Sequence, residues 1–238
     1  MIEELLRKNN IAEDIRGELE ELNELINHAI SVQPKLEDAV IPISSDRMLV
    51  IRCIEDAFRA VTCFSEKPVL LACEAGDLYA SEETIDMLSE YEERSNWQNI
   101  SPQLLSACDC ALSYAGPEAF RFLIPAYMMN ALRYPILQEF SLNMHFYHQE
   151  NLSERLINYT KCQHSMLNNG QKNAISAYLN QSWWEILSKG DEVAYRFESR
   201  GLTLWEVEEY IHKFSYMSIR EYEHYIYDKH LDWLKCSL

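Results

Sequence analysis

Along much of its length the chain places apolar residues three and four positions apart, the spacing that lines one side of an α-helix. Ile11, Ile15, Leu19, Leu22 and Ile26 follow this rule, as do Met48, Ile51, Ile54 and Phe58, and later Ala174, Ile175, Tyr178, Leu179 and Trp183. With only 6 Gly and 7 Pro the chain has too few turn residues for a strand-dense sandwich or barrel. The spacing therefore predicts a mainly α fold, a helical globule with few or no strands.

Start and stop signals place the helices. Residues 1–30 read as one amphipathic helix, or two broken near Asn9-Asn10, and 31–47, with Pro34 and Pro42, as a linker. A helical core domain is expected over 48–189. Within it Ser81 caps a helix over 81–94, Ser101-Pro102 begins another, and Gly116-Pro117-Glu118 ends that one and starts the next. Leu104, Leu105, Cys108 and Leu112 form one apolar face, with Cys108 and Cys110 on opposite sides of the same helix. Phe120, Leu123, Ile124, Tyr127, Met128 and Ala131 are so densely apolar that their helix must be central, with Pro125 kinking it and Pro135 near its end. Residues 62–77 fit either a short strand or a packed loop. Over 190–238, Thr203-Leu-Trp-Glu206 and Ser218-Ile-Arg-Glu221 match capping boxes and predict aromatic-rich helices packed on the core.

Charge narrows the function classes. The formal net charge is −17, with eight acids against one base in residues 74–94 and eight against three in residues 1–30. Such a surface repels phosphate backbones and anionic lipid, so neither nucleic acid nor membrane is an expected partner. No apolar run reaches the about 20 residues a membrane helix needs, and the first residues lack the basic start of a signal peptide. Seven cysteines, an odd number without pairing rhythm, read as reduced thiols. A cytoplasmic location is expected.

Catalytic patterns are thin. No phosphate-binding glycine loop occurs, and Cys108-Asp-Cys110 lacks redox or zinc spacing. Cys63 and Cys73 could each serve as a nucleophile only beside a histidine. His145 and His148, three apart, with Glu150, are the best alternative for a metal, though no third ligand with defined spacing accompanies the pair. No cofactor and no resident metal are expected.

Cys53-Ile-Glu-Asp-Ala-Phe58, Trp97, Ile100-Ser-Pro102 and Leu112-Ser-Tyr114 lead into Pro117-Glu-Ala-Phe-Arg-Phe-Leu-Ile-Pro-Ala-Tyr127, and Gln171-Lys-Asn-Ala-Ile-Ser-Ala-Tyr-Leu179 follows. Over roughly residues 48–185 this pattern resembles an uncharacterised bacterial family, domain of unknown function 6714. The resemblance implies a small α-rich protein and carries no activity.

The feature that stands out for binding is the acidic run Glu82, Glu83, Asp86, Glu90, Glu92 and Glu93, ending near Trp97, since interfaces combine charged rims with aromatic anchors. A solvated helix face is its plainer explanation. The expected function is a non-enzymatic, acidic protein-binding module for a basic partner, with an immunity-type inhibitor that masks a toxin or nuclease as its specific form. An enzyme using His145, His148 and Glu150, and a homo-oligomer sealed through residues 1–30 or 203–234, are the alternatives.

Overall fold

The computed structural model describes residues 2–8, 11–36, 43–64, 68–108, 110–134 and 165–188. Among these the protein is helical and contains no strand. The helices are α1 (Ile2–Leu6), α2 (Glu13–Ser31), α3 (Ser45–Phe58), α4 (Leu71–Asp77), α5 (Glu82–Tyr91), α6 (Pro102–Ala107), α7 (Ala111–Tyr114), α8 (Pro117–Arg133) and α9 (Asn169–Ser188). A 3-10 turn, Trp97–Asn99, precedes α6.

Helix α8 is the centre, as its composition requires. Pro117 occupies its first turn, where a missing N–H costs little. Every residue from Phe122 to Leu132 is buried, so the helix is covered all round rather than along one stripe. Pro125 lies inside it. Helix α3 packs on α8, and α9 packs on α3. The 3-10 turn, α6 and α7 meet α8 from other sides. Helix α4 rests on α7 and α5, while α2 lies across α5 and α6.

Buried polar groups tie this core together. Tyr127 donates its phenol proton to the Cys108 carbonyl. Asn130 donates to the Pro102 carbonyl at 3.0 Å. Arg47 is buried and donates to the Leu132 carbonyl at 3.0 Å, satisfying one of the last-turn carbonyls of α8. Arg47, Val50, Ile51, Ile54 and Phe58 face inward, whereas Met48 stays exposed.

Two sequence expectations change. Residues 71–77 are helical where a short strand or packed loop was expected, and the described residues of 62–77 contain no strand. The helix expected through Cys108 to Leu112 is two helices, because α6 ends at Ala107 and Cys108 leaves helical geometry with φ −108 and ψ 59. Cys108 and Cys110 therefore do not share a helix. The first thirty residues form two helices, and Leu19, Leu22 and Ile26 of α2 are buried within the chain itself. Ile11 and Ile15, at the start of the same stripe, are half-buried. Pro135 and the capping boxes at 203 and 218 lie outside the described residues, as does the whole of 190–238.

Candidate functional site

The acidic run divides into an outer and an inner part. Ser81 caps α5 by accepting the Thr84 N–H at 3.3 Å. From there Thr84 and Leu88 turn inward at a spacing of four, and Glu82, Glu83, Asp86 and Glu90 turn to solvent. None of these four carboxylates makes an ion pair among the described residues. Neighbouring α2 exposes Glu13, Asp14, Glu20, Glu21 and Glu24.

The nearby bases are engaged elsewhere. Arg16 donates to the Leu6 and Lys8 carbonyls at 2.7 and 2.9 Å, closing the turn between α1 and α2. The Lys8 ammonium lies over the Tyr91 ring, 4.0 Å from its centroid. Arg94 donates to the Ser89 carbonyl at 3.0 and 2.8 Å and sits 3.7 Å from Glu92.

Glu92 belongs to the interior. It continues the inward spacing of Thr84 and Leu88, and its side chain is 2% exposed. Its two oxygens accept the N–H groups of Val69, Leu70 and Ala72 at 2.9, 2.6 and 3.0 Å. Those donors belong to the entry of α4, where backbone N–H groups have no partner within the helix. Burial pushes the Glu92 carboxyl up, opposed by the three N–H donors and by Arg94.

Glu93 and Trp97 are also structural. Glu93 accepts from Ser95 and from the Asn96 N–H, and from the Asn99 amide at 3.0 Å, tying down the loop before the 3-10 turn. The Ser95 hydroxyl above all, with Asn99 and the loop N–H groups, holds its carboxyl at about 2. Trp97 is 3% exposed and donates its indole N–H to the Phe58 carbonyl at 3.0 Å. It packs in the core and cannot anchor a partner from the surface. Of the seven candidate residues, Glu82, Glu83, Asp86 and Glu90 remain on the surface, while Glu92, Glu93 and Trp97 build the corner beneath it.

A group that the sequence did not mark lies at the end of α4. The Tyr79 N–H donates to the Gly76 carbonyl and the Ala80 N–H to the Ala75 carbonyl, the paired bonds of a Schellman motif. That motif needs a left-handed residue, and Tyr79 supplies it with φ 60. Glycine would take this conformation without strain; a bulky residue there costs on the order of 1–3 kcal/mol. The Tyr79 side chain is 95% exposed, and Leu78 beside it is 45% exposed. Tyr114, at the end of α7, is half exposed and donates its phenol proton to Asp77. That bond, together with the Asp77 charge, raises the Tyr114 phenol to about 12. Only a positive φ betrays this corner, and no local pattern around Gly76-Asp-Leu-Tyr79 announces it.

Cys63, Cys73 and Cys108 are buried and Cys53 is exposed. Burial first, then the charges of Glu92 and Glu74, pushes the Cys73 thiol well above its ordinary range, which keeps it protonated. Among the described residues no group of three His, Cys, Asp or Glu side chains is placed to hold a metal. His145, His148 and Glu150 lie outside those residues. No helix among the described residues is long and apolar enough to cross a membrane.

No curated protein and no solved structure matches the chain. Residues 46–191, well over half of its length, match the family of unknown function DUF6714, and the chain belongs to that family.

Proposed function

We propose that this protein is a non-enzymatic binding module whose acidic face, carried by α5 and the neighbouring α2, receives a basic surface of another protein. The supporting observation is that Glu82, Glu83, Asp86 and Glu90 point to solvent without an ion pair among the described residues, while Lys8, Arg16 and Arg94 are turned to a ring, to carbonyls and to Glu92. Uncompensated carboxylates on one helix attract a cationic surface over about a Debye length and speed its encounter. An immunity-type inhibitor that covers the basic site of a toxin or nuclease is the specific form of this reading. The burial of Trp97 moves the aromatic anchor elsewhere but leaves the charged face intact.

The test compares the full chain with the fourfold variant E82Q/E83Q/D86N/E90Q, each immobilised and exposed to lysate of the native host. The expected result is a Lys- and Arg-rich protein retained by the native chain, released by salt and not retained by the variant. Retention of the same proteins by both chains would overturn the reading.

A further inference from the structure

The α4–α7 corner carries exposed tyrosines and a carboxylate. Tyr79 presents nearly its whole ring to solvent two residues after Asp77, Tyr114 presents half of its own and donates to Asp77, and helix α4 packs on α7. The Tyr114 hydroxyl holds the Asp77 carboxylate in place by donating to it. The segments that build the corner, 68–93 and 101–120, contain no Lys or Arg, and Glu82 and Glu83 follow Tyr79 within one turn of chain. Exposed tyrosine faces beside an oriented carboxylate suit a planar cation: the ring faces attract it and the carboxylate accepts its N–H groups.

We infer that Tyr79, Tyr114 and Asp77 form the anchor point for an arginine side chain of the basic partner. This rests on the acidic-face reading and gives it an aromatic centre in place of Trp97. The guanidinium stacks on tyrosine while its N–H fork meets Asp77; a lysine ammonium, compact and more strongly hydrated, gains less from the same surface. Glu82 and Glu83 form the adjoining rim and act by attraction rather than by contact geometry.

The experiment measures binding of two labelled peptides, one of alternating glycine and arginine and one of alternating glycine and lysine, to the full chain. The variants are Y79G, in which glycine takes the same backbone conformation without strain, and E82Q/E83Q/D86N/E90Q. The native chain is expected to prefer the arginine peptide, and Y79G to lose about fivefold in affinity for it, close to 1 kcal/mol, together with that preference. The fourfold variant weakens both peptides alike and flattens their salt dependence. Equal affinity for the two peptides, or an unchanged preference in Y79G, overturns the arginine anchor; the acidic face then stands only if the fourfold variant still weakens both. Loss in Y79G with none in the fourfold variant keeps the anchor and removes the wider face. Absence of binding by either peptide overturns both. Self-association of the native chain that Y79G abolishes assigns the corner to a second copy and overturns the arginine occupant.

Discussion

Replacing Glu92 by Gln keeps the shape of the side chain and removes its charge at the point where three backbone donors converge. In the native chain Leu70 and Ala72 donate to one oxygen at 2.6 and 3.0 Å, and Val69 donates to the other at 2.9 Å. In the variant the amide oxygen can keep the first pair. The amide nitrogen then confronts the Val69 N–H, two donors facing each other in a site that excludes water. Losing one charge-assisted bond and leaving a buried donor unpaired costs about 2–5 kcal/mol together. Some of this is returned, because the variant no longer buries a charge, the same burial that pushes the carboxyl up. The expected net destabilisation is about 2–3 kcal/mol, which for a chain of this size lowers the melting temperature by roughly 5–10 °C. E92A, which leaves all three N–H groups unpaired, should fall further. Urea denaturation followed by far-UV circular dichroism measures both, and a lower midpoint with an unchanged slope assigns the loss to the folded state. Stability of E92Q and E92A within about 0.5 kcal/mol of the native chain would refute the claim that this carboxylate holds the entry of α4.

Other outcomes follow from the same structure. Y79G should gain about 1 kcal/mol in the same assay, since glycine removes the left-handed strain at φ 60 and gives back part of it as chain entropy in the unfolded state. Stability should decline as pH falls from about 5 towards 2: the folded chain holds Glu93 at about 2 against an ordinary 4.5, so the unfolded chain takes up its proton first. After solvent screening that carboxylate contributes about 1 kcal/mol, and Glu18, held low by Thr84 and Ser81, adds in the same direction. An N99A/S95A double variant should flatten the acid limb of the stability curve. The fourfold variant E82Q/E83Q/D86N/E90Q should melt at or slightly above the native temperature, because it removes mutual repulsion and no bond. Brief alkylation of the native protein, mapped by mass spectrometry, should label Cys53 and spare Cys63, Cys73 and Cys108.

Most helices were legible in the chain because their signals are local, whereas α4 and the break between α6 and α7 were not. Ser81 and Ser101 accept N–H groups three residues ahead, Pro117 opens α8, and the dense apolar run from Phe120 to Ala131 can only be covered on all sides. The surface half of the candidate site was legible for the same reason. Glu82, Glu83, Asp86 and Glu90 leave the Thr84–Leu88 stripe by simple helical geometry. Glu92 extends that stripe by one more step of four, a signal that could have marked it as inward.

Which carboxylates and aromatics turn inward was decided by the tertiary structure. A buried carboxylate is tolerated only where donors surround it, and the donors of Glu92 come from residues 69–72, about twenty positions away. Trp97 finds its carbonyl partner at Phe58, thirty-nine positions distant, so a residue that reads as a surface anchor becomes core. The left-handed Tyr79 exists because α4 must stop and turn into α5, a demand made by the packing of those helices and by no feature of residues 76–81. Local spacing dictates what each segment can form; only the meeting of distant segments supplies the partners that lower the cost of burying a charge or bearing a strain.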